Sequence, residues 1–126
     1  MNKPIVSKRA PKAVGPYVHA VDTGNMLFCS GQLGIDPATG EFKVGVAAQT
    51  KQCLKNLSAV LKEAGYDIND VVKTLIFIDH MEDFPIMNEV YSEFFGDHKP
   101  ARSCVEAAKI PKGALVEIEC IAVKSE

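Results

Sequence analysis

Arg102 stands among Ala101, Ser103, Cys104 and Val105, and Glu117 and Glu119 stand among Leu115, Val116, Ile118 and Cys120. Charge inside an apolar run is costly to cover unless it is paired or hydrogen-bonded. A half-buried guanidinium grips a planar carboxylate at two points, so Arg102 can anchor an acidic ligand. The same side chain also suits an internal Arg–Glu ion pair that only fixes the fold, and both readings stand on these residues. Glu117 and Glu119 fall on one face of a strand by parity. Two carboxylates so close raise the proton affinity of one of them if both are buried. Ser30-Gly31, read at a strand end, offers a hydroxyl and backbone N–H groups for an anionic oxygen, or is only a turn. Tyr17 reads as a half-buried aromatic with its hydroxyl in water. Asn88 lies one turn from Phe84 and Tyr91, either near the buried edge of a helix or as an ordinary exposed amide.

Cysteine and histidine add little. Cys29, Cys53, Cys104 and Cys120 are scattered, form no Cys-x-x-Cys pair and sit in apolar runs, where free cysteine behaves as a small hydrophobe. They read as reduced thiols. His19, His80 and His98 share no metal-ligand spacing with them, which argues against a metal site.

These side chains need elements to hold them. Ile5–Ser7 reads as a short first strand, and Val18–Asp22 with Met26–Ser30 as a hairpin turning at Thr23-Gly24-Asn25. Pro37-Ala38-Thr39-Gly40 is a turn. Val46–Gly65 predicts an amphipathic helix, with Val46, Thr50, Cys53, Leu54, Leu57, Val60, Leu61 and Ala64 in one stripe and Gly65 as its cap. Val71–Asp79 is apolar on both faces and predicts a central strand buried on both sides. Asp83–Phe95 predicts a second helix, with Asp83 as N-cap and Pro85 in the first turn. Ala101–Ala107 and Ala114–Val123 are strands around the break Lys109–Gly113. Arg102, Cys104 and Glu106 share one side of the first. Val116, Ile118, Cys120 and Ala122 make the core side of the second, opposite Glu117 and Glu119. The class is α+β, with two helices on one face of a sheet whose other apolar face predicts self-association.

At 126 residues the chain reads as one domain, 1–126. A net charge of -2 with no basic arm argues against a dedicated nucleic-acid binder. No window is apolar enough for a membrane span, and the first residues show no secretion signal, so the cytosol is the default expectation.

Four blocks bear a resemblance in the right order and at the right separations. Gly15-Pro16-Tyr17, Ser30-Gly31-Gln32, Pro100-Ala101-Arg102-Ser103, and a Lys-Gly followed by Val116-Glu117-Ile118-Glu119 resemble the signature of the RidA (YjgF, L-PSP) family. The likeness runs from about Ala10 to Val123. It implies a chorismate-mutase-like fold: a six-stranded mixed sheet with two helices on one face, the last strand inserted between earlier ones, and sheets closing a barrel-like core in a homotrimer. The connection Gly96-Asp97-His98-Lys99 departs from the pattern, being a few residues shorter than is usual there. That puts one pocket wall, and with it substrate range, in question.

The resemblance also implies an activity. It is hydrolysis of reactive 2-imino and enamine acids (2-iminobutanoate, 2-iminopropanoate) to 2-oxo acids and ammonia, with no metal or organic cofactor and with pockets between subunits. Carried over by motif, Arg102 clamps the carboxylate and Glu117 positions water. Ser30 and Gly31 offer donors near the reacting end, while Tyr17, Asn88 and Cys104 line the pocket. Cys104 is a wall rather than a nucleophile, since no histidine is placed to activate it. Glu119 is expected to pair with a neighbouring chain or a structural base. Two rivals stand beside this reading: a regulatory trimer that binds 2-oxo acids without turnover, and a ribonuclease or chaperone role. A pure binder has a use for Arg102 but none evident for a carboxylate beside an anionic ligand.

Overall fold

The computed structural model describes residues 2–124. Its strands are β1 (Lys3–Ile5), β2 (Ala20–Asp22), β3 (Met26–Leu33), β4 (Val71–Ile78), β5 (Ala101–Glu106) and β6 (Val116–Val123). Its helices are α1 (Val46–Glu63) and α2 (Phe84–Phe95). The strands form one sheet in the order β1-β2-β3-β6-β4-β5. Only β4 and β5 are parallel, which needs a crossover between them, and α2 supplies it. β6 lies between β3 and β4, so residues 101–106 and 116–123 form no hairpin with each other.

One face of the sheet is the core. Leu27 and Cys29 of β3, Ile76 and Ile78 of β4, and Val116, Ile118, Cys120 and Ala122 of β6 pack with Leu54, Leu57, Val60 and Leu61 of α1 and Met87, Tyr91 and Phe95 of α2. The α1 stripe is buried as its periodicity requires. α1 closes with Tyr66 N–H on Leu61 O at 2.8 Å and Gly65 N–H on Lys62 O at 3.0 Å, the paired bonds of a Schellman end. Three amides on the inner side of α1 carry bonds that sequence periodicity did not foresee. Asn56 Nδ2 donates to Leu33 O and Ile35 O at 3.0 Å each, Gln52 donates to Asn56, and Gln49 bonds Lys43 O and the Leu115 N–H. They tie the end of β3 and the approach to β6 to the helix.

Four local expectations are corrected. β4 is central, but only one side of it is fully buried; Lys73, Leu75 and Phe77 on the other are half-buried, because both helices cover the same face. β3 does not end at Ser30: it runs on to Leu33 through a bulge between Cys29 and Gln32. β1 lies at Lys3–Ile5 rather than Ile5–Ser7. Asp83 precedes α2 but makes no side-chain cap bond. The open face carries Phe28, Leu75, Phe77, Ile121 and Val123 around Glu117 and Glu119, all at least partly exposed.

Candidate active site

Glu117 is placed by β6. It faces Leu33 on β3 and Phe77 on β4, on the open side of the sheet. The bulge lets it lie flat: Ser30 and Gly31 together oppose Glu119, one residue more than a regular ladder allows. A Cβ at Gly31 would lie 2.7 Å from Glu117 Oε2 and 2.9 Å from its Cδ and Cγ, so the carboxylate rests on bare backbone. Burial pushes the Glu117 carboxyl above its ordinary pKa, and the neighbouring charge of Glu119 adds to this. A carboxyl shifted that way is better suited to take and return a proton near neutral pH.

A cavity of about 490 Å³ opens beside it, lined by Tyr17, Ser30, Gly31, Gln32, Lys112 and Glu117 among others. Tyr17 is 51% exposed, more open than the half-buried aromatic expected. The Ser30 hydroxyl donates to Val18 O at 2.7 Å, and its N–H donates to His19 O. Ser30 thus holds the bulge in place, and a ligand would compete with Val18 for the hydroxyl proton. His19, buried in the wall, accepts the Ser7 N–H on Nδ1 and meets Pro11 O from Nε2 at 2.7 Å. This puts the ring proton on Nε2 and pins the segment that roofs the cavity. Sequence reading had weighed His19 only as a metal ligand.

Arg102 is placed by β5, the edge strand. In register with Thr74 of β4, it lies on the helix side, as Cys104 does beside Ile76. Arg102 Nη1 donates to Asn88 Oδ1 at 2.7 Å. Its Cζ stands 4.9 Å from the ring centre of Tyr91 and 5.4 Å from that of Phe84. No described carboxylate forms an ion pair with it, so the internal Arg–Glu lock fails. Asn88 is a partner rather than a bystander. A groove of about 270 Å³ runs past Asn88, Tyr91, Phe95, His98, Pro100 and Arg102, its far wall formed by the short 96–99 connection. Cys104 is half-buried, and burial raises its thiol pKa against the pull of Arg102, the opposite of an activated nucleophile. Glu106 accepts the Met81 N–H.

The expected site residues therefore fall into two groups. Tyr17, Ser30, Gly31 and Glu117 share one cavity, while Asn88 and Arg102 share the groove, with Cys104 following on the same side of β5. Arg102 and Glu117 sit on opposite faces of the sheet with β4 between their strands. One copy does not bring them together.

Comparison with known proteins supplies the context. The family model described as Endoribonuclease L-PSP matches residues 7–124. The chain belongs to this family. It is 47% identical over 127 aligned positions to the 2-iminobutanoate/2-iminopropanoate deaminase of Escherichia coli, covering 98% of this chain and 99% of that protein. A RutC family protein of Pyrococcus horikoshii is 50% identical, with 98% and 99% covered. Among solved structures of the family's fold, Escherichia coli TdcF with bound serine superposes with a TM-score of 0.95 at 45% identity, with 98% of this chain and 99% of that one covered.

Proposed function

We propose that this chain, as one domain, hydrolyses 2-iminobutanoate, 2-iminopropanoate and their enamine tautomers to 2-oxo acids and ammonia. It does so as a homotrimer in which the Arg102 groove of one copy meets the Glu117 cavity of the next. The observation that carries this reading is the state of Arg102: a guanidinium held by an amide and two rings, beside an open groove, with no acid among the described residues paired to it. The deaminase relative, alike over nearly the whole chain, supports the choice of reaction. The partly exposed apolar face around Glu117 supports the assembly.

In this mechanism the substrate carboxylate lies on Arg102, which takes it at two points with the N–H groups not given to Asn88. An enamine first takes a proton at carbon and gives one up from nitrogen to become the imine. Glu117 accepts a proton from water as the oxygen bonds to the imine carbon, and returns it to nitrogen. The hydroxyl proton of the resulting aminol then passes to nitrogen, with Glu117 as the relay, and as the C–O bond becomes a carbonyl the C–N bond breaks, releasing ammonia and leaving the 2-oxo acid. Gly31 and Tyr17 border the reacting end, Asn88 keeps the guanidinium turned toward the groove, and Cys104 fills the wall beside it.

The test couples a threonine dehydratase, which generates the imine, to semicarbazide, which traps it. The protein should suppress semicarbazone formation, and Arg102→Ala should abolish that suppression. Unchanged suppression by the variant would remove Arg102 from the site. A binder without turnover would depend on Arg102 equally but would give no faster release of ammonia than buffer.

A further inference from the structure

Thr74 lies on the core face of β4, in line with Ile76 and Ile78, and is wholly buried. A valine would fill the same space, and a buried hydroxyl costs free energy unless it is bonded. The Thr74 Oγ1 is 2.8 Å from the hydroxyl of Tyr91, itself 7% exposed. Tyr91 in turn presents its ring to the Arg102 guanidinium, which comes from the residue of β5 paired with Thr74. Three elements, β4, α2 and β5, are thus closed into one loop of contacts around a single cation.

We propose that Tyr91, anchored by Thr74, is a positioning residue that fixes the plane of the Arg102 guanidinium for an incoming carboxylate. The inference rests on the assignment of Arg102 as the carboxylate anchor. Asn88 holds one nitrogen, about which the group can pivot, and the Phe84 ring, 5.4 Å from Cζ, has no hydroxyl to anchor it. The anchored ring removes the pivot, because a tilted guanidinium loses its contact with the π face. A fixed fork loses less freedom when it takes up a planar acid. The effect belongs to ground-state binding, so it falls on KM and on product affinity rather than on kcat.

The experiment measures calorimetric binding of 2-oxobutanoate, the reaction product, and steady-state hydrolysis of the imine on the intact assembled protein. Tyr91→Leu should raise the Kd for 2-oxobutanoate and the KM together by about 5- to 30-fold, with kcat held within about twofold. Thr74→Val strands the Tyr91 hydroxyl and should lower Tm. The double variant Tyr91→Phe/Thr74→Val removes both partners and should recover Tm while its Kd stays raised, which separates positioning from stability. A Kd that recovers with Tm, a Tyr91→Leu Kd near the native value, or a loss confined to kcat overturns the proposal. Arg102→Ala serves as the reference. If it abolishes 2-oxobutanoate binding and the Tyr91 variants bind normally, only the positioning role falls; if binding survives it, the carboxylate anchor falls as well.

Discussion

Gly31→Ala tests the placement of Glu117 without touching either the acid or the fold. The added methyl would meet Glu117 Oε2 at 2.7 Å, so that oxygen must retreat by about 0.7 Å to reach the 3.4 Å of ordinary contact. All three atoms it meets, Oε2, Cδ and Cγ, belong to the Glu117 side chain rather than to backbone, so relief requires that side chain to turn about its Cα–Cβ bond. Gly31 has no positive φ, so alanine is tolerated there and stiffens the unfolded chain by about 0.4–1 kcal/mol. Net stability should therefore stay within about 1 kcal/mol of the native protein. Activity should not, because a displacement of about 1 Å in a catalytic group costs on the order of 100-fold, or about 2.7 kcal/mol of barrier. The assay is kcat/KM by semicarbazide competition, paired with a urea unfolding curve. Gly34→Ala supplies the contrast: its methyl would lie 2.6 Å from Gln49 Cα and 2.7 Å from the Gln49 carbonyl oxygen, fixed backbone that cannot step aside. That variant should lose about 1–3 kcal/mol of stability. A folded Gly31→Ala protein with near-native kcat/KM would refute the role given to the Glu117 carboxylate.

Other perturbations have equally definite outcomes. Glu117→Gln should be more stable than the native protein above the carboxyl's ordinary pKa of 4.5 and no more stable well below it. The native state binds that proton more tightly than the unfolded chain, so the carboxyl's contribution to stability is lost as pH rises through its raised pKa. Thermal melts across pH 3–8 check this, and a stability difference independent of pH would contradict it. Asn56→Leu orphans the Leu33 and Ile35 carbonyls and should cost about 2–5 kcal/mol in chemical denaturation; a loss below about 1 kcal/mol would mean that water replaces the amide. Ile121→Asp puts a charge in the middle of the open apolar face, between Phe28 and Lys73. Sedimentation should then show a monomer with little deaminase activity, and a fully active monomer would break the link between assembly and catalysis.

Much of this was legible in the sequence where periodicity is strong. The α1 stripe from Val46 to Leu61 and the core side of β6 from Val116 to Ala122 follow directly from spacing. The insertion of β6 between β3 and β4 does not, because strand order is a long-range property; it came from the family resemblance. The bulge at Ser30-Gly31 was missed, since Ser-Gly reads as a strand end unless the partner strand is known to continue past it. Asn56 and Gln52 sit within the buried surface of α1 at helical spacing, so polar residues inside an apolar stripe were the available signal. The Thr74–Tyr91 bond left a fainter one, a lone hydroxyl in an otherwise aliphatic strand face. The division of the candidate site followed from parity only once β4 was known to lie between β5 and β6. Parity then sets Arg102 and Glu117 on opposite faces.

Subunit mixing examines that division most directly. Arg102→Ala and Glu117→Gln proteins, each inactive alone, are unfolded together and reassembled at equal ratio. If each site joins the groove of one copy to the cavity of its neighbour, random trimers place an intact groove against an intact cavity at about one interface in four. Deaminase activity should then return to about a quarter of the native level. Mixed trimers that remain as inactive as their parents would contradict a site shared between copies.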